Sequence, residues 1–177
     1  DSLTTSYGAS TAVGYQALSA ATTARRSTAM GHQALKAITT THNNTAFGDG
    51  AGAASTGSNS VMIGYGAGSK GGTGTTAVGY DALSSSSLSV SYLTAVGSNA
   101  LKNNTTGGNN TALGTDALLD NTTGAGNTGV GMNAGIRNST GSNNTSLGYN
   151  AGNTTTTGTN NTLLGYDAEG SSAVFRV

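Results

Sequence analysis

The chain has 177 residues with 29 glycines, no proline, no cysteine and no tryptophan, and only 8% of its positions are charged. Ordinary soluble domains carry roughly 25% charged residues. The seven basic and seven acidic residues are scattered, with no basic stripe and no polybasic segment, which argues against nucleic-acid binding and against an anionic membrane surface. No apolar run approaches the roughly 20 residues that cross a bilayer, and the lack of cysteine excludes disulfides and thiolate metal sites.

One short pattern recurs along the chain: an apolar residue, a glycine and, three places after that glycine, an alanine. Threonine stands three places before the glycine in every copy except one, where Val61 replaces it. Successive glycines are 17, 17, 16, 15, 18, 17, 17, 17 and 17 residues apart. These repeat glycines are Gly14, Gly31, Gly48, Gly64, Gly79, Gly97, Gly114, Gly131, Gly148 and Gly165.

In chain order, each copy predicts a short strand, a turn, a second short stretch and another turn. Threonine and a β-branched or other apolar residue alternate before the glycine, which favours a strand, and a glycine there would cost a helix about 1 kcal/mol. The polar segments between copies, such as residues 103–110, contain turn-forming Asn, Thr, Ser and Gly. The sequence therefore predicts an all-β, parallel β-solenoid (a β-roll) of ten coils of about 17 residues.

The predicted domain organisation follows from the repeat. Residues 1–9 are a lead-in or partial coil, residues 10–170 form the solenoid, and residues 171–177 are a cap or the start of another module. At about 4.8 Å per coil, the rod would be roughly 50 Å long. The irregular spacings lie between Gly48 and Gly97, and we expect the connecting turns to absorb them, notably at residues 69–75 and 84–92.

The strand predicts one bulky face and one nearly flat face, because side chains alternate along it. Thr and Val share the first face, and Ala and Gly share the second. A repeated flat face suits the close approach of another backbone. Since hydrophobic residues make up only 34% of the chain, a core shared among chains would add stability. We therefore expect an intertwined or side-by-side homotrimer, with the Ala/Gly face buried against sister chains.

Residues 10–18 (Ser-Thr-Ala-Val-Gly-Tyr-Gln-Ala-Leu) and 59–64 (Asn-Ser-Val-Met-Ile-Gly) carry a family resemblance. The pattern resembles the repeats of bacteriophage tail fibres and the YadA-type β-roll heads of trimeric adhesins, over about residues 10–170. The 17-residue period favours the phage-fibre version. The resemblance implies a homotrimeric fibre segment, shaft or head, on a virion tail or bacterial surface. It also implies receptor-binding surfaces, for which a host cell-surface glycan or protein is the expected partner. From the residues themselves, neither a cofactor nor an enzymatic activity is expected.

Several residues are candidates for a binding or metal site. His32 and His42 lack a partner at metal-ligand spacing and are expected at the surface or in packing. Asp81, Asp116 and Asp167 lie two places after the repeat glycine, where a side-chain hydrogen-bond ladder is favoured over a calcium ladder.

The glycine-rich residues 68–74 lack the features of a phosphate loop. Five tyrosines directly follow the repeat glycine, and packing between coils or subunits is favoured over ligand contact: Tyr15, Tyr65, Tyr80, Tyr149 and Tyr166.

Two other functions fit parts of the pattern. A threonine column suggests an ice-binding solenoid, although such faces usually need two outward threonines per coil. A polysaccharide-degrading tailspike would need paired carboxylates, and the close pairs are Asp116 with Asp120 and Asp167 with Glu169. A non-enzymatic fibre segment is therefore the leading expectation.

Binding residues are expected where a loop departs from the rigid repeat. The 18-residue spacing between Gly79 and Gly97 is the longest. Its candidates are Ser84, Leu88, Val90 and Tyr92, in a protruding loop or an inter-subunit contact. The uniform coils from Gly97 to Gly165 would then act as a spacer. The alternative is that the extra length reflects neutral sequence variation in a turn that tolerates it, without a role in binding.

Overall fold

The computed structural model describes residues 9–85 and 90–169 and contains ten three-residue strands in one parallel sheet. Strand order in the sheet follows chain order, so each strand pairs with those of the neighbouring repeats. The predicted all-β solenoid is confirmed. The strands are β1 (Thr11–Val13), β2 (Thr28–Met30), β3 (Thr45–Phe47), β4 (Val61–Ile63), β5 (Thr76–Val78), β6 (Thr94–Val96), β7 (Thr111–Leu113), β8 (Thr128–Val130), β9 (Thr145–Leu147) and β10 (Thr162–Leu164).

The ends of the predicted domain scheme, residues 1–8 and 170–177, lie outside the described residues. Within the part of the chain that the structure describes, no helix has the length and apolar character needed to cross a membrane.

The irregular spacings leave the strand register unchanged. Thr45 pairs with Val61, and Val61 pairs in turn with Thr76, although the two steps span 16 and 15 residues. Thr76 pairs with Thr94 across 18 residues. The prediction that the connecting turns absorb the length changes is therefore confirmed.

The repeat glycines allow the coils to stack closely just after each strand. At Gly114 the backbone has a φ of 136°, in a region that residues with a side chain rarely adopt. A Cβ atom there would lie 2.5 Å from the carbonyl oxygen of Gly131 in the next coil. Conformation and space therefore both require glycine, which explains why this position is constant through the repeat.

The core lies inside the solenoid and consists mainly of small residues. The middle residue of each strand points inward, and Ala46 and Ala112 are completely buried. An alanine and often a leucine from the following turn complete the core. The buried turn residues are Ala17, Leu18, Ala34, Leu35, Ala51, Ala67, Ala82, Leu83, Ala100, Leu101, Ala117, Leu118, Ala134 and Ala151.

This arrangement corrects the predicted role of the two strand faces. The Ala face is the inner face of the chain's own solenoid, so it is unavailable to sister chains, and the Thr/Val face points outward. The physical reason is space: a 17-residue coil encloses a narrow interior that the turn leucine already occupies. Where that leucine is present, only a small residue fits at the centre of the strand.

Larger strand-centre residues occur where the turn leucine is missing. Met62 is fully buried in β4, and glycines at positions 52 and 68 replace the turn leucine in its own and the preceding coil. A Cβ at Gly52 would lie 2.7 Å from Met62 Sδ, and a Cβ at Gly68 would lie 2.5 Å from Met62 Cγ. The thioether therefore fills the space that two leucines occupy elsewhere.

The coils between Gly97 and Gly165 also contain two inner asparagine columns. The first lies seven places after the repeat glycine, and the second lies directly before the strand. Asn121 Nδ2 donates to Asn104 Oδ1 (2.6 Å) and to the Gly124 carbonyl (2.9 Å). Because the backbone N–H of Asn127 donates to Asn110 Oδ1 at 2.8 Å, both columns link successive coils. The members are Asn104, Asn121 and Asn138, and Asn110, Asn127, Asn144 and Asn161.

Candidate functional site

The outer face of the sheet presents a continuous apolar stripe along the rod. The residue before each repeat glycine points outward, and Phe47 is 53% exposed and Leu113 48% exposed. A threonine column runs beside it on the same face, and the ten strands have no charged outward residue. We call the following residues the outer stripe: Val13, Met30, Phe47, Ile63, Val78, Val96, Leu113, Val130, Leu147 and Leu164.

The aromatic column beside the outer stripe stacks from coil to coil. The ring planes are nearly parallel, within about 11°. Of the predicted packing between coils or subunits, this confirms the packing between coils, and the tyrosines nevertheless remain 40–76% exposed. The charge of Asp167 beside it raises the pKa of Tyr166. The stacked pairs are Tyr15 with His32 (5.6 Å), Tyr65 with Tyr80 (5.3 Å) and Tyr149 with Tyr166 (5.2 Å), measured between ring centroids.

A polar ladder occupies the position two places after the repeat glycine. Asn99 Nδ2 donates to Asp116 Oδ1 at 3.0 Å, and Gln33 Nε2 donates to Gln16 Oε1 at 3.0 Å. The predicted hydrogen-bond ladder is therefore confirmed at Asp116, whereas Asp81 Oδ2 contacts Lys102 Nζ at 3.0 Å. These residues have positive φ, which asparagine and aspartate tolerate better than most residues. Among residues 9–85 and 90–169, no three His, Cys, Asp or Glu side chains are grouped as a metal site.

The two candidate carboxylate pairs take part in contacts between coils. Asp120 Oδ1 accepts a hydrogen bond from Asn103 Nδ2 (3.1 Å), and Glu169 Oε2 accepts one from Thr154 Oγ1 (2.9 Å). These contacts give the carboxylates a role in linking successive coils.

Both histidines also contact an adjacent coil. His32 Nδ1 lies 3.0 Å from Asp49 Oδ1, and His42 Nδ1 accepts a hydrogen bond from the Arg25 backbone N–H at 3.1 Å. The surface or packing roles expected for them agree with this placement.

The described residues among the predicted binding candidates in the 18-residue spacing differ in exposure. Tyr92 is 69% exposed, whereas Val90 is half-buried and packs against the core. The Ser84 carbonyl accepts a hydrogen bond from Ser69 Oγ at 3.2 Å. Leu88 lies outside the described residues. Of the three candidates that the structure describes, Tyr92 is therefore the one that is exposed.

A groove of about 330 Å³ lies on the turn that follows β8 and β9, and sequence reasoning missed it. Its walls combine three amides, one aliphatic side chain and one guanidinium. Arg137 is the only arginine between Gly97 and Gly165, and this was the signal available in the sequence. The lining residues are Asn133, Ile136, Arg137, Asn150 and Asn153.

No protein-family model matches the chain, and neither a characterised protein nor a solved structure matches it.

Proposed function

We propose that this chain is a non-enzymatic structural segment, shaft or head, of a homotrimeric extracellular fibre that supports attachment to a host surface. The phage tail-fibre type fits the 17-residue repeat best, and a bacterial surface adhesin is the related form. The outer stripe is the observation that carries the proposal. Soluble monomers rarely leave a contiguous apolar surface of more than a few hundred Å² uncovered.

The shape of the outer stripe suits a lengthwise contact between parallel rods. Ten strands at about 4.8 Å spacing extend the stripe over roughly 45 Å. The same stripe on each of three chains can face a common three-fold axis and close the assembly. Because no outward strand residue is charged, burying this face leaves no unpaired ion. The proposed contact thus uses the Thr/Val face in place of the Ala/Gly face.

The test is the oligomeric state and shape in solution. The wild-type chain should have the mass of a trimer at micromolar concentration and should appear as rods in electron micrographs. The double variant Leu113→Glu/Leu147→Glu places two charges in the stripe and should give folded monomers. The control Thr106→Glu/Thr140→Glu adds the same charge at exposed turn positions, whose hydrogen bonds to the next coil come from the backbone, and should remain trimeric. A monomeric wild-type chain would contradict the proposal.

Ice binding is the second candidate, and the outward threonine column favours it. Nine strands present a threonine in register on one parallel sheet. The neighbouring outer stripe contains Met30 and Phe47 among smaller residues, which makes the surface uneven. Thermal hysteresis by the wild-type chain, and its loss in Thr111→Tyr/Thr145→Tyr, would favour this candidate over the fibre.

A further inference from the structure

We propose that the groove on the turns after β8 and β9 binds a carboxylate-bearing saccharide. This proposal rests on the fibre function, because recognition of a surface sugar is what an attachment fibre requires. The groove volume of about 330 Å³ lies at the lower end of the ~300–1,000 Å³ typical of small-ligand sites. That size suits a short stretch of a sugar chain.

Arg137 supplies the positive charge that a carboxylate needs. Its side chain is exposed, and among residues 9–85 and 90–169 no carboxylate lies within ion-pair distance of it. Asp120 occupies the equivalent position in the preceding coil. Its carboxylate accepts a hydrogen bond from Asn103, which lies one further coil towards the N-terminus. A planar guanidinium can donate two parallel hydrogen bonds to one carboxylate.

The amides beside Arg137 suit sugar hydroxyl groups. Asn133 Nδ2 donates to Asn150 Oδ1 at 2.9 Å, and this bond fixes the orientation of both side chains. Within the described residues, Asn133 Oδ1 and Asn150 Nδ2 have no other hydrogen-bond partner. They therefore present one acceptor and one donor side by side, a pattern that adjacent hydroxyls can match.

The remaining walls complete the site. Ile136 is half-buried and offers an apolar surface to the C–H groups of a sugar ring. Asn153 adds another amide to the lining.

The position of this groove in the polar ladder explains why it would prefer an anion. Elsewhere the ladder contains aspartates, at Asp81, Asp116 and Asp167. At the groove, both rungs are neutral asparagines, and the adjacent turn carries Arg137. The two glutamine rungs near the N-terminus are also neutral, but the turn position equivalent to Arg137 is alanine there. The combination of amide rungs with arginine is confined to the groove.

The experiment is titration of the full chain with trigalacturonic acid and with neutral galactotriose, by calorimetry at physiological ionic strength. We expect the acidic trisaccharide to bind at least about tenfold more tightly, since a charge-assisted hydrogen bond typically changes affinity by that factor or more. Arg137→Ala should abolish this preference. Arg137→Lys keeps the positive charge but lacks the planar guanidinium, and it should lose part of the preference for the acidic trisaccharide.

Asn150→Asp is the sharpest variant, because aspartate already occupies this ladder position in three other coils. It keeps the acceptor for Asn133 and adds a negative charge to the groove. Because Asp167 occupies the next rung, the melting temperature of the variant is measured first to verify that it is folded. We expect at least about tenfold weaker binding of trigalacturonic acid. The control Lys36→Ala removes a positive charge from the same turn in β2's coil and should leave binding unchanged.

Three results would overturn the proposal: no binding of trigalacturonic acid, equal binding of both saccharides, or an equal loss in Lys36→Ala and Arg137→Ala. The last would indicate general charge attraction. The fibre proposal is tested separately, because the trimer mass and the rod shape do not depend on the groove. Trimeric rods without saccharide binding would reject the groove and retain the fibre.

Discussion

The coils from Gly97 to Gly165 and those from Gly48 to Gly97 build the same sheet around different interiors. In the first region, every spacing is 17 residues and the two inner asparagine columns run between coils. In the second region, the spacings are 16, 15 and 18, and the equivalent positions hold Ser55 and Gly71, and Ser60, Thr75 and Leu93. The strands nevertheless stay in register in both.

The difference shows that strand pairing and turn length are specified separately. The repeat glycine and the backbone ladder fix the sheet, whereas the asparagine columns require a constant coil length so that each amide reaches the next coil. Where the first column ends, after Asn138, its Oδ1 atom and Thr155 Oγ1 are buried and lack a partner among the described residues. An unsatisfied buried polar atom costs about 1–3 kcal/mol. A uniform repeat limits this cost, because each asparagine inside the column has a partner in the next coil.

The largest effect is expected where the uniform coils stack most closely. A Cβ at Gly107 would meet the carbonyl oxygen of Gly124, whereas at Gly108 the nearest atom is Ser91 O at 3.8 Å. Gly107→Ala must move one coil away from the next and should lower the free energy of unfolding by about 3 kcal/mol or more. The adjacent control Gly108→Ala should change it by less than about 1 kcal/mol. Urea unfolding measures both, and equal losses would disprove the close stacking.

The second effect compares one polar position in the two regions. Asn121 makes side-chain hydrogen bonds with Asn104, Gly124, Asn138 and Asn127. Asn121→Ala leaves several of these partners unsatisfied and should destabilise the chain by about 2–3 kcal/mol.

The matched variant in the irregular region is Ser55→Ala, since Ser55 Oγ donates one bond, to the Gly71 carbonyl at 3.0 Å. We expect a loss of about 1 kcal/mol. If thermal unfolding gave equal losses for Asn121→Ala and Ser55→Ala, the asparagine columns would have no special role.

The third effect tests the packing of the core with one variant that enlarges a buried side chain and one that shortens a buried side chain. Ala112→Leu adds bulk where Leu118 already fills the coil and should cost about 1–3 kcal/mol. Met62→Ala empties the space beside Gly52 and Gly68 and should cost about 2 kcal/mol or more. Both losses should appear in the folding stability of the single chain, because both positions are fully buried within it. A normal melting temperature combined with loss of the trimer would restore the predicted inter-chain Ala face.

The smallest effect is expected from metal removal. The uniform coils are linked by amides, and carboxylates such as Asp116 accept hydrogen bonds from neighbouring asparagines. EDTA should therefore leave the melting temperature of the chain unchanged, and added calcium should do the same. A shift of several degrees with either reagent would reveal an ion in the polar ladder.

Most of the backbone architecture could be predicted from the sequence. The spacing of the repeat glycines gave the number of coils, and the alternation of residues such as Thr111 and Leu113 gave the strands. The ladder of Asn99 and Asp116 could also be predicted, because polar side chains at a constant position meet in every stacked repeat. These are local or periodic properties, so they need no knowledge of the interior.

The tertiary structure decided which strand face points inward and where a binding surface could form. Alternation places Ala112 and Leu113 on opposite faces of the strand, but it does not determine which face points into the interior of the coil. The narrow interior, already occupied by Leu118, admits the alanine and leaves Leu113 on the outer stripe. The groove at Arg137 likewise depends on Asn133 and Asn150, which are 17 residues apart and meet only through stacking. The sequence by itself determined the repeat; the space enclosed by each coil determined the core and the exposed surface.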